Sequence, residues 1–93
     1  MSATVRWAAH VTAAAAGLGP EGEHDFVTGP LAAATVRFRD VDSLPEEAGP
    51  AVRSVHVVDP GFGVLVFVAV VVDRGVVEIA DFAVDPDYWE LAA

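Results

Sequence analysis

The stretch Phe62-Gly-Val-Leu-Val-Phe-Val-Ala-Val-Val-Val72, followed by Asp73-Arg-Gly75 and Val76-Val-Glu-Ile79, decides the fold. Valine and isoleucine branch at Cβ, which suits a pleated strand better than a helix. Two such runs separated by a turn make a β-hairpin. Asp73-Arg74-Gly75 fits a three-residue loop with Gly75 in the left-handed position that generates a bulge. Odd and even positions of the first run are both apolar, so both faces of that strand need cover. It therefore marks the middle of the fold.

Working outward, Ala51 to Val58 reads as a preceding strand, joined through the turn Asp59-Pro60-Gly61. The final strand spans Val76 to Val84 and ends at Asp85-Pro86, because proline has no N–H for a ladder. An aromatic tail, Asp87-Tyr-Trp-Glu-Leu91, is expected to fold back on the sheet. Near the N-terminus, Ala3-Thr-Val-Arg-Trp7 alternates as a short strand. Ala8 to Leu18 is an alanine-rich helix, stopped by Gly17 and Gly19-Pro20, and Glu21 to Asp25 is a polar loop.

Residues 28–48 admit two readings. Leu31, Ala34, Phe38 and Val41 fall at helical spacing, with Pro30 in a first turn opened by Thr28. Thr35-Val-Arg-Phe-Arg39 instead alternates like a strand, and Ala34-Thr-Val-Arg-Phe38 echoes Ala3-Thr-Val-Arg-Trp7. Ser43 with Glu46 three residues on could cap one further helical turn before Gly49-Pro50. The expected class is α+β: one domain over residues 1–93, a mostly antiparallel sheet in the order β-α-(α or β)-β-β-β, and one or two helices on one face.

Composition narrows the function classes. Hydrophobic residues make up 54% of the chain, which argues for a packed core, and there is no cysteine for a disulfide or thiolate site. The net charge is −9, and all five cations are arginines: Arg6, Arg37, Arg39, Arg53 and Arg74. Such a chain repels a phosphate backbone, so direct nucleic-acid binding is not expected. The Phe62–Val72 run is about half of what a membrane-spanning helix needs. Trp7 to Leu18 contains His10 and Thr12 and follows a single arginine, so it is not read as a secretory signal. A soluble cytoplasmic protein is expected.

Motifs of chemistry are sparse. Gly17-Leu-Gly-Pro-Glu-Gly22 satisfies G-x-G-x-x-G but follows a helix, with Glu21 where a pyrophosphate would sit. His24 among Glu21, Glu23 and Asp25 lacks a defined metal geometry. Ser54 and His56 share a strand face, with Asp81 or Asp85 as an orienting acid, but no nucleophile elbow accompanies them. No catalytic residue, cofactor or metal is assigned. Asp81, Asp85, Asp87 and Glu90 gather beside Tyr88 and Trp89, a composition suited to holding a basic protein.

Four segments together resemble the RelE/ParE toxin superfamily of toxin–antitoxin pairs. They are Val52-Arg-Ser-Val-His-Val57, Phe62-Gly-Val-Leu-Val-Phe-Val-Ala-Val70, Val76-Val-Glu-Ile79 and Asp85-Pro-Asp-Tyr-Trp89. Ala3-Thr-Val-Arg-Trp7 and the helix after it are similar to that family's opening strand and helix. The match is weakest from Glu21 to Pro50, where the resemblance implies a helical hairpin. The departures are specific. Val68 and Ala69 stand where the family often has Tyr and Arg, Ala83 and Val84 stand where His or Arg commonly follows, and Arg53 is the matching cation that remains.

The resemblance implies a toxin-like scaffold without the groups that cleave RNA. The expected partner is a protein, either an antitoxin or a basic target. The candidate contact residues are Arg53, His56, Asp81, Asp85, Asp87, Tyr88 and Trp89. A second class is an acidic inhibitor: an immunity protein, an anti-defence (anti-CRISPR-like) protein or a nucleic-acid mimic. A homodimer would also cover the two-faced strand.

Overall fold

The computed structural model describes residues 2–46, 49 and 51–84. In chain order these form β1 (Thr4–Trp7), α1 (Ala9–Ala16), α2 (Gly19–Phe26), α3 (Ala32–Arg39), β2 (Val52–Asp59), β3 (Gly63–Asp73) and β4 (Val76–Val84). The four strands lie in the order β1-β4-β3-β2. β2, β3 and β4 form an antiparallel meander, and β1 joins the edge parallel to β4. The architecture is the expected α+β class, with helices against one face of the sheet.

Both turns of the meander follow from their residues. Gly75 sits at φ +72°, and the ladder shifts register between Val71 and Asp73, as the expected bulge requires. At the other end, the Asp59 carboxylate accepts the N–H groups of Gly61 (2.9 Å) and Phe62 (3.0 Å). That side chain stands in for a missing backbone partner and closes the turn.

The middle of the chain departs from the sequence reading. Glu21 to Asp25 is not a loop: these residues lie within α2. The strand alternative for Thr35–Arg39 is not adopted, since those residues complete α3. Pro30 does not open a helix but sits in a π turn, Val27–Leu31, that joins α2 to α3. Proline has no N–H and its ring collides with the carbonyl four residues back, here that of Phe26. Widening the helix by one residue relieves that conflict without breaking the rod. The break falls earlier, at Gly19 (φ +84°), where the chain turns from α1 into α2. Ser43 caps no helix: it ends a short 3₁₀ turn, Val41–Ser43, and its hydroxyl donates to the Asp40 carbonyl (2.8 Å).

The rod persists because its apolar residues share one side. Phe26, Pro30, Leu31, Ala34 and Phe38 are all buried, at spacings that keep them on one helical stripe. They meet Val11 and Ala15 of α1 and the sheet residues Val55, Val57, Leu65, Phe67, Ala69, Val77 and Ile79 in one core. Phe26 is the hub of an aromatic cluster, 4.8 Å from Phe82, 5.4 Å from Phe62 and 6.2 Å from Phe67 between ring centroids. No helix among the described residues is long and apolar enough to cross a membrane.

Candidate functional site

Two surfaces emerge, one at the end of the helical layer and one on the opposite side of the sheet. The helical layer is shorter than β3. α3 stops at Arg39, whose carbonyl accepts the N–H of Ala3 (2.8 Å), and beyond it Val41 and Leu44 pack on the core. A cavity of about 580 Å³ remains at the hairpin end. Ala3, Val41, Val71 and Val77 form its apolar lining, and Asp42, Arg53 and Arg74 supply its charge. The Arg53 side chain is 11% exposed. Its Nη1 donates to the Val52 carbonyl (3.1 Å), and its Nη2 lies 4.0 Å from a Glu46 carboxylate oxygen.

The opposite face follows from strand alternation. Val64, Val66, Val68, Val70 and Val72 line it along β3, beside Val52, Ser54, His56 and Val58 of β2. Every helical residue of the core lies against the other side of the sheet, and no described helix lies on this one. Val64 is buried and Val66, Val68 and Val70 are half-buried, while Val72 is 42% and Val58 64% exposed. Both faces of β3 are apolar, as expected, but the described helices cover only one.

Charged groups flank this valine face on the β4 and β1 side. Arg6 Nε donates to Glu78 Oε1 at 3.0 Å, joining neighbouring strands. Asp81 accepts the N–H of Phe82 (2.8 Å) and lies 3.7 Å from His10 Nε2. Both members of that His–Asp pair are well exposed, so it behaves as a surface contact.

The candidate contact residues are thus divided. Arg53 belongs to the cavity on the helical side, whereas His56 points to the valine face. Arg37 of α3 reaches the rim of β2 and donates to the His56 carbonyl (3.3 Å). Asp81 shares a row with Ser54 through Val68, two strand spacings away, or about 10 Å. That separation, with Asp81 turned toward His10, means that Asp81 does not complete a Ser54–His56–aspartate arrangement. Asp85, Asp87, Tyr88 and Trp89 lie outside the described residues.

His24, Glu21, Glu23 and Asp25 stand on a helix rather than in a loop; Glu21 lies on one face with His24 and Asp25, three and four residues on, and Glu23 does not face its neighbours His24 and Asp25. Among the described residues no group of three or more His, Asp or Glu side chains could hold a metal ion. The cavity was not legible from local pattern. Arg74 reads as a turn residue and Asp42 belongs to no motif, yet the fold brings both to the cavity that Arg53 lines. No family model, curated protein or solved structure matches the chain.

Proposed function

We propose that this chain is a small acidic interaction module with a RelE/ParE-like scaffold, acting in the cytoplasm by binding another protein and not by cutting RNA. The observation that carries the reading is the valine face: an apolar sheet surface with no described helix on it. Its fitting occupant is an amphipathic helix or strand that sets apolar residues on β3 and basic residues beside Glu78 and Asp81. An antitoxin segment has that chemistry. The chain's net charge of −9 favours a basic partner and speeds its approach.

The placement of two residues supports the non-nucleolytic part. Ala69 is fully buried beneath the helices, and Val68 lies on the valine face. Neither offers a cation or a proton donor for a phosphate. Three helices lie between β1 and β2, and from Gly19 to Arg39 they run on as one rod where the resemblance implies a helical hairpin.

Induced expression is expected to slow growth, and co-expression of a neighbouring gene's product to relieve it through a stable complex. Val68→Asp should abolish that complex while the isolated protein stays folded. Absence of any growth effect at every expression level removes the toxin reading. A complex indifferent to Val68→Asp removes the valine face as its seat. Sedimentation of the protein alone tests the homodimer: a concentration-dependent dimer lost in the same variant assigns the face to a second copy.

The acidic-inhibitor reading rests on the net charge of −9 and on the carboxylates from Asp73 to Glu90. It requires binding to a basic protein that weakens steeply with salt, and equal affinity at low and high ionic strength would exclude it.

A further inference from the structure

The two edges of the sheet are engaged unequally. Thr4 N–H donates to the Gly75 carbonyl (2.7 Å) and Ala8 N–H to the Ile79 carbonyl (3.0 Å), so the even-numbered residues of β1 address β4. Peptide groups alternate in direction along a strand, so those of Val5 and Trp7 point away from the sheet. The Arg39 carbonyl takes the Ala3 N–H just before them (2.8 Å), but no described residue is hydrogen-bonded to the Val5 or Trp7 backbone on that side. At the β2 edge, by contrast, Arg37 Nη1 reaches the His56 carbonyl (3.3 Å).

The flank of α3 beside β1 adds a charge. Trp7 Nε1 donates to the Thr35 hydroxyl (3.1 Å), which sets the indole, 37% exposed, against α3. Arg39 follows Thr35 by four residues and so lies on the same flank. Of the other cations near β1, Arg6 is paired with Glu78 (3.0 Å) and Arg74 shares its cavity with Asp42. Arg39 is exposed and has no ion pair among the described residues, and its neighbour Asp40 lines a groove with Val36 and Arg37, around the helix from Thr35.

We propose that the open edge of β1 receives an extended peptide segment of a partner protein as a fifth, antiparallel strand, with one acidic side chain meeting Arg39. Val5 and Trp7 each exchange a pair of hydrogen bonds with the residue that faces them. The side chains of those two facing residues lie on the helical side of the sheet. The one beside Trp7 packs on the indole, and the one beside Val5, nearer Ala3 and the end of α3, meets the Arg39 guanidinium. The net charge of −9 repels a run of acids, so a single carboxylate fits. A second copy is disfavoured, because the register that satisfies both Val5 and Trp7 sets Arg6 directly opposite its own counterpart.

The probe is a five-residue peptide blocked at both ends, with threonine at its ends and centre, valine second and glutamate fourth. It is titrated into the full chain and followed by amide resonances and hydrogen exchange. The Val5 and Trp7 amides should exchange freely in the unbound protein and become protected, saturably, at millimolar peptide, while Thr4 and Arg6 are protected throughout. Methylating the peptide's valine and glutamate nitrogens should weaken binding at least about tenfold, because two donors are lost. Glutamine in place of the glutamate should weaken it about threefold, and Arg39→Gln should erase that difference without moving the thermal midpoint. No saturable protection of Val5 and Trp7 overturns the proposal, as does equal binding of the methylated peptide. So do shifts centred on β2 or on Val66 and Val68, and a glutamate preference that survives Arg39→Gln. Protection of Val5 and Trp7 in the free protein that vanishes on dilution gives the edge to a second copy and overturns it too.

Discussion

The two faces of β3 are built from nearly the same residues and have different fates. On one, Leu65, Phe67 and Ala69 are excluded from water by α1, α2 and α3. On the other, Val66, Val68 and Val70 stay half-buried, and Val72 is exposed. Hydrophobicity does not distinguish the two sides. Shape does: the helix-facing row mixes large Phe67 with small Ala69, leaving room for Phe26 to interdigitate, whereas an even row of valines makes a flat surface. The first face holds the fold together, and on the second no described helix lies.

The sharpest way to break this comparison is to truncate neighbours on opposite sides. Phe67→Ala should cost about 3–5 kcal/mol in urea unfolding, because its aromatic cluster cannot collapse into the space. Val68→Ala should cost about 1 kcal/mol or less, since a half-buried side chain leaves no closed cavity. Comparable losses would mean that the faces are equally covered.

The next test attacks the register that assigns residues to faces. Sliding a strand by one residue exchanges its two sides, and the bulge at Gly75 holds the hairpin in place. Gly75→Ala should destabilise the protein by about 1–2 kcal/mol, the cost of a left-handed conformation for a residue with Cβ. Asp59→Ala at the opposite turn removes the acceptor of two N–H groups and should cost about 1 kcal/mol. Both are read by chemical denaturation, with amide exchange along β3 reporting any slip. The smallest effect is expected for Arg6→Ala, which deletes an exposed ion pair with Glu78 and should change stability by less than about 1 kcal/mol. That difference should vanish at high salt.

The sheet was legible from the sequence because its signals are local and agree with one another. β-branched runs, Asp59-Pro60-Gly61 and Asp73-Arg74-Gly75 specify strands and turns within a few residues. The helical rod from Gly19 to Arg39 was not legible, because its local signals conflict. Gly19, Gly22, Gly29 and Pro30 disfavour a helix, and Thr35–Arg39 alternates like a strand. What overrides them is burial of Phe26, Leu31, Ala34 and Phe38 against a sheet assembled mainly from residues later in the chain. Three of those four residues, Leu31, Ala34 and Phe38, were visible as helical spacing. Phe26 was not, because the acidic residues before it read as a loop.

The candidate sites divide along the same line. Arg53 is legible in the sequence only as a cation of a strand, and the other residues of its cavity, Arg74, Asp42 and Ala3, come from distant segments. Their meeting depends on where α3 ends over the sheet.

By itself, the sequence determined the strands, their turns, the class of fold and an acidic surface, since each rests on short-range backbone preference or on a sum of charges. The tertiary structure alone decided that β1 lies parallel to β4, that Pro30 is absorbed in a π turn, and that a cavity opens beside Arg53. Those outcomes depend on which surfaces can bury one another, and no local run of residues carries that information.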